Sequence, residues 1–365
     1  MLFHSSIRKE LARGFGATLV VLVTIVMTMM LIRTLGQASR GSVNPSEVLM
    51  VLGYTVLGYL PSILTLSLFI AIVATLSRMF SDSEMAIWFA AGRGLTSFMG
   101  PLFRFAWPIL LVIAVMALVV WPWSNQQARD LRDRYERRGD LERIAPGQFQ
   151  ESSGGSRVFF IDKDTPDNKS GNNVFISAIE RGKQSVTSAR SGRIDYIGES
   201  RFLLLNSGQR LESTTGAPDL KISEFEEYGT QIGVDALKTR DNVPPKSKPT
   251  LTLLLEPSRQ HQGELAWRIG LALAALNFVV LALAVSSVNP RAGRSGNMLF
   301  ALFTFVVYYN LLNLGQSWIA SGRISFAGLL VALHGGMLLA ALAWLGKRHN
   351  NWSVRSLLSR RSAAP

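Results

Sequence analysis

Six stretches of this sequence, 14–32, 48–77, 105–123, 269–288, 297–318 and 324–346, contain no Asp, Glu, Lys or Arg. Each meets or approaches the roughly 20 apolar residues that a bilayer-crossing helix needs. A soluble core helix is seldom this long and apolar on every face. The pattern therefore predicts six transmembrane helices rather than a two-domain soluble protein. Arg8, Lys9 and Arg13 could form the basic start of a signal peptide, with small residues near Gly36–Ser39 as its cleavage site. However, 14–32 exceeds the usual signal core of about 7–15 residues, which favours a retained first helix.

Charge sets the orientation. The net charge is +13, yet the middle section 124–264 holds 21 basic and 21 acidic residues and is neutral. The remainder carries 17 basic residues and only four acids, Glu10, Glu47, Asp82 and Glu84. Thirteen of those basic residues fall on one side of the six-span layout, among them Arg8, Lys9, Arg13, Arg78, Arg93, Arg104, Lys347 and Arg348. The positive-inside rule makes that side cytoplasmic, with both termini inside and 124–264 across the membrane. The basic balance thus reflects topology and anionic headgroups, and no basic patch interleaved with aromatics points to nucleic acid. Cysteine is absent, which excludes disulfides and thiolate sites.

The middle section changes character. WPWSNQQARDLRDRYERRGD (121–140) reads as an interfacial Trp–Pro–Trp followed by a charged helix that extends the third span. Segments 156–162, 172–180, 185–198, 200–213 and 220–232 read as strands punctuated by Gly, Asn and Ser. They predict an all-β domain: a sandwich, a jelly roll or an open barrel. The proline-rich 240–260 reads as a linker back to the membrane. The expected class is membrane α+β, with this all-β domain lying between helices 3 and 4 on the periplasmic side. The expected division is 1–123, 124–264 and 265–365.

No phosphate-binding loop, nucleophile–base set or metal-ligand pair is present, so energy for any work must come from elsewhere. The spans are expected to hold no carboxylate, which argues against ion coupling and for a partner ATPase. Between spans two and three, SDSEMAIWFAAG (81–92) matches a capping box, with Ser81 as N-cap and Glu84 reaching back. Asp82 and Glu84 suit the positive end of a helix dipole; Met85, Trp88 and Phe89 share one face, and Gly92 is a stop. A membrane-surface helix is the plain alternative, but such helices are usually basic on the polar face. An acidic helix with an aromatic ridge suits docking into a groove on a soluble partner. Arg33, near the outer end of span one, either snorkels to the interface or faces a cavity for an anionic amphiphile. Tyr308, in the Tyr308-Tyr309-Asn310 cluster of span five, either lines a cavity or makes ordinary interhelical hydrogen bonds. His334, mid-membrane, reads as a hydrogen-bonded packing residue.

The segments SDSEMAIWFAAG (81–92), PWSNQ (122–126), GQFQ (147–150), ELAWRI (264–269) and SVNPRAGR (287–294), in this order, resemble the YjgP/YjgQ-type lipopolysaccharide-export permeases, the LptF/LptG family. That resemblance covers nearly the whole chain. It implies an LptF–LptG heterodimer in the bacterial inner membrane, bound to a cytoplasmic LptB ATPase dimer and associated with LptC and the periplasmic LptA bridge of jellyrolls, with the inserted domain of this chain a periplasmic β-jellyroll-like member of that bridge. It further implies a non-catalytic subunit with no cofactor of its own, ATP–Mg being held by the ATPase. Lipopolysaccharide would enter a cavity between the two permease subunits. The family's coupling helix maps onto 81–92, with Glu84 and Asp82 in the acidic role and Met85, Trp88 and Phe89 beside them. The family's lipid-facing cation maps onto Arg33, whereas Met29 and Met30 stand where some members carry a further cation. The competing reading from another class is a membrane-anchored periplasmic sensor or assembly scaffold, with no transport and no ATPase.

Overall fold

The computed structural model describes residues 2–39, 43–137, 149–151, 157–160, 162, 170–180, 183–197, 200–214, 219–231, 243–286 and 294–349. The connection 287–293 and the basic tail 350–365 lie outside the described residues, as do the first two residues of GQFQ. Among the described residues six helical stretches are long and apolar enough to cross a membrane: Ile7–Ser39, Pro45–Ser81, Leu95–Tyr135, Arg259–Val285, Gly296–Ala320 and Phe326–Arg348. The chain is a multi-span membrane protein of mixed α and β structure. It divides into two compact units: Met1–Leu31, Leu52–Gln127 and Pro244–Pro365 form one, and Ile32–Val51 and Ala128–Val243 the other.

The helices are α1 (Leu2–Ser39), α2 (Val48–Ser81), α3 (Glu84–Ala90), α4 (Met99–Val115), α5 (Trp121–Arg137), α6 (Thr250–Leu255), α7 (Arg259–Val285), α8 (Arg294–Ala320), α9 (Phe326–Leu329) and α10 (Gly336–His349). A π-helical turn, Met116–Val120, joins α4 to α5, and another, Leu330–Gly335, joins α9 to α10. In the helical unit α7 is central: 72% of its apolar stretch is buried, against 6% for α1. Lipid tails are as apolar as leucine, so helices gain by close packing rather than by escape from water. Gly270 illustrates this, because a Cβ there would come within 2.5 Å of Leu312 and 2.9 Å of His334. Phe278 on the same helix joins three elements, its ring meeting Phe69 of α2 at 4.7 Å and Phe305 and Tyr308 of α8 at 5.1 Å each.

Span four begins at Arg259, ten residues before the charge-free run, and so takes in Glu264 and Arg268. This corrects the expectation of carboxylate-free spans, because Glu264 is buried within α7. Hydropathy marks two charges as a boundary, but side chains at i and i+4 of a helix neutralise each other. The expected linker is also more ordered than its prolines suggested, with a 3₁₀ turn at Pro245–Ser247 and then α6.

Among the described residues the second unit holds six antiparallel strands, β1 (Gln150–Glu151), β2 (Arg157–Phe160), β3 (Ser170–Glu180), β4 (Lys183–Ile197), β5 (Ser200–Thr214) and β6 (Leu220–Gln231). They pair in sequence order as a meander, and the four long strands β3–β6 make most of the sheet. The last five coincide closely with the expected segments, whereas β1 was not anticipated. One face buries Val174, Ile176, Ala189, Leu203 and Leu205, with Phe225 and Tyr228 packed against them. Pairing skips Asn173, Arg190, Ser207 and Glu226, which line up across the four long strands. Asn173 and Ser207 have φ of 48° and 51°, so this row is a crease rather than regular pleat.

Candidate functional site

The connection between spans two and three is built around Arg78. It sits one turn before the end of α2, and its Nη1 donates to Glu84 Oε1 at 2.8 Å and to Asp82 Oδ2 at 3.1 Å. Glu10, arriving from α1, pairs with the Nε and Nη2 side of the same guanidinium. Three of the four acids outside the middle section therefore converge on one cation. This geometry overturns the capping box. Ser81 is the last residue of α2, and the N-cap of α3 is Ser83, at φ 59° with no side-chain cap. Glu84 does not reach back to the chain because the guanidinium offers a charge-assisted bond, roughly twice as strong as a neutral one. The stop is as read: Gly92 has φ 77°, with Gly92 N–H donating to Phe89 O and Arg93 N–H to Trp88 O, both at 3.0 Å. That is a Schellman closure, and its left-handed position suits glycine.

The apolar face of α3 is divided. Met85, expected on the docking ridge, is 1% exposed and packs into the unit's own core with Ile7, Leu11, Met79 and Phe98. An apolar period identifies a face, not what covers it. Trp88 is partly buried against the same core. Phe89 remains 43% exposed beside Phe80, and Ile87, which the sequence reading passed over, is 70% exposed. The surface offered outward is thus Ile87 and Phe89, edged by the half-exposed carboxylates of Asp82 and Glu84.

A second polar constellation lies wholly inside the helical unit. Glu264 Oε1 accepts from Trp121 Nε1 at 3.0 Å and from Arg268 Nε at 2.9 Å, while its Oε2 accepts from Gln316 at 2.9 Å. Arg268 spends its other nitrogens on the segment before α6: Nη1 donates to Thr250 Oγ1 at 2.8 Å, and Nη2 to the carbonyls of Pro245, Lys246 and Lys248. Thr250 in turn donates to the carbonyl of Leu118, within the π turn after α4. A π turn displaces the regular i→i−4 bonding, so this carbonyl has a partner outside its helix. The network holds the returning chain against spans three, four and five. Sequence spacing carried one signal of it, the Glu264–Arg268 i,i+4 pair.

Tyr308 is fully buried, which fits the interhelical hydrogen-bonding reading of this residue rather than the cavity-lining one. Asn277 Nδ2 donates to its hydroxyl at 2.8 Å and to the His334 carbonyl at 2.9 Å, and the hydroxyl meets His334 Nδ1 at 2.7 Å. The hydroxyl thus accepts from the amide and shares a second hydrogen bond with His334 Nδ1. Of its neighbours, Tyr309 is half-buried near Ser62, and Asn310 is exposed with its amide donating to Val306 O. Arg33 is exposed on α1, next to buried Thr34; Met29 is 59% exposed and Met30 buried. Among the described residues no cluster of three or more His, Asp or Glu could hold a metal.

Comparison with known proteins bears on the whole chain. Residues 6–348 match the family model of the lipopolysaccharide export system permease LptF/LptG. The lipopolysaccharide export system permease protein LptF of Escherichia coli K12 is 29% identical over 305 residues, covering 82% of each chain. The proteins of the same name from Escherichia coli O157:H7 and Shigella flexneri match to the same extent.

Proposed function

Since the chain belongs to the lipopolysaccharide export system permease LptF/LptG family, we propose that it is one membrane subunit of an ATP-driven extractor of lipopolysaccharide. In this reading it pairs with an LptG-type paralogue in the inner membrane, termini in the cytoplasm. An LptB dimer with its own ATP–Mg docks below, and LptC and the LptA bridge receive the lipid above. The creased sheet is then the periplasmic, jellyroll-type element of that bridge. The permease needs no cofactor and does no bond chemistry. Its task is to convert closure of the ATPase into collapse of a lipid-filled cavity.

The observation that carries the reading is α3. It connects two spans, exposes Ile87 and Phe89, and places two carboxylates at their edge. Such a surface complements an apolar groove rimmed by cations on a soluble motor. Arg33 suits the phosphate groups of the lipid, because a guanidinium binds phosphate through parallel N–H donors. The test is Glu84→Lys in the intact complex. ATPase subunits should no longer co-purify, or their hydrolysis should proceed without lipid release; retention of both coupling and binding would sink the docking role.

A further inference from the structure

We propose that Arg78 is a positioning residue that ties α3 to the foot of α1, so that a push received by α3 is delivered to the first span as well as to spans two and three. The inference rests on the docking reading of α3 and adds a route from it to the first span. Its basis is how one guanidinium is shared. The Nη1 side serves Asp82 and Glu84, and the Nε–Nη2 side serves Glu10 on α1. A planar fork with five donors can hold two elements at a fixed mutual angle, where a flexible point charge would hold only distance. Glu84 receives Arg78 through Oε1, which leaves Oε2 for a cation of the motor. Docking can then extend the chain of ion pairs without breaking it.

The surroundings of α1 suit a lever. Its foot is gripped, with Ile7 and Leu11 buried in the core that also holds Met85. Beyond Leu19 one face of the helix is open, with Val20, Val21, Ile25, Met29 and Ile32 all more than half exposed. An open cleft of about 860 Å³, bordered by Lys9, Glu10, Arg13, Ala17, Ala74 and Arg78, runs along the α1–α2 side of the pair. A helix held at one end, with free space beside it, tilts when its holding point moves. Arg33 lies on this same helix.

The experiment uses the complete complex reconstituted in liposomes, with lipopolysaccharide released per ATP hydrolysed as the readout. Glu10→Gln removes the α1 arm and leaves Arg78 with Asp82 and Glu84. It should lower the ratio at least fivefold while the ATPase still co-purifies. Arg78→Gln should lower it as far or further. The chain has no cysteine, so a single spin label at Val21→Cys reports α1 alone. Its ATP-dependent change should vanish in the Glu10→Gln background, a loss that a merely structural role would not produce at unchanged melting temperature. If Arg78→Gln does not assemble, Glu10→Gln decides alone. A wild-type ratio and label response in Glu10→Gln overturns the joint. Should Glu84→Lys also bind and couple normally, the docking reading falls with it; should Glu84→Lys fail to bind, only the joint falls.

Discussion

Removing Arg268 tests the internal network most sharply. In Arg268→Met a side chain with no exposed surface loses its charge, while Glu264, 4% exposed, keeps only Trp121 and Gln316 as partners. Three carbonyls, of Pro245, Lys246 and Lys248, lose their donor at the same time. Breaking a buried pair from one side costs about 3–5 kcal/mol, chiefly because the remaining charge is uncompensated. At roughly 2–4 °C per kcal/mol for a body of this size, the melting temperature of the detergent-solubilised chain should fall by about 10 °C. The double variant Glu264→Gln/Arg268→Met removes that charge and should recover part of the loss, since replacing both partners is often close to neutral. Recovery should be incomplete because the carbonyls of 245–248 still lack a donor. Limited proteolysis should accordingly open near Lys246 and Lys248 in both variants. The reasoning is refuted if Arg268→Met melts within a degree or so of wild type, or if the double variant loses as much as the two singles added together.

Two further outcomes follow from the site geometry. Tyr308→Phe leaves His334 Nδ1 and one Asn277 proton without a partner in a buried position, a cost of about 1–3 kcal/mol; thermal melting should show it, while crosslinking of lipid to α1 stays unchanged. Arg33→Glu should weaken photo-crosslinking to lipopolysaccharide with the complex still assembled, and undiminished crosslinking would return Arg33 to an interfacial anchor.

The spans were legible because apolarity over twenty residues is a local property, and Gly92 was legible because a left-handed stop favours one residue type. The scarce acids were harder. Asp82 and Glu84 were found as a pair, but Glu10 joins them on Arg78, which lies sixty-eight residues from it along the chain, a contact only the packing of α1 on α2 creates. The capping box failed for the same reason: its local rule took no account of Arg78, which outbids the backbone for Glu84. Met85 was placed on the correct face and given the wrong neighbour, since helical period does not distinguish a molecule's own core from a partner's groove. Glu264 and Arg268 were treated as a span boundary because each alone is costly in lipid, whereas together they are satisfied. For Tyr308 the choice between cavity and packing turned on Asn277 and His334, which come from two other helical segments.

The central position of α7 has a consequence for synthesis. Phe69 of α2 and the core around it pack on Phe278, and the Trp121 ring rests on Trp267 at 4.6 Å. Spans one to three thus emerge from the ribosome well before the helix they lean on. At roughly 5–20 residues per second, the interval between Ser81 and Arg259 lasts on the order of ten seconds or more. During that wait Phe69 and Trp121 lack the rings of Phe278 and Trp267 that they meet in the finished protein. The fourth helix therefore arrives as the keystone of spans already made.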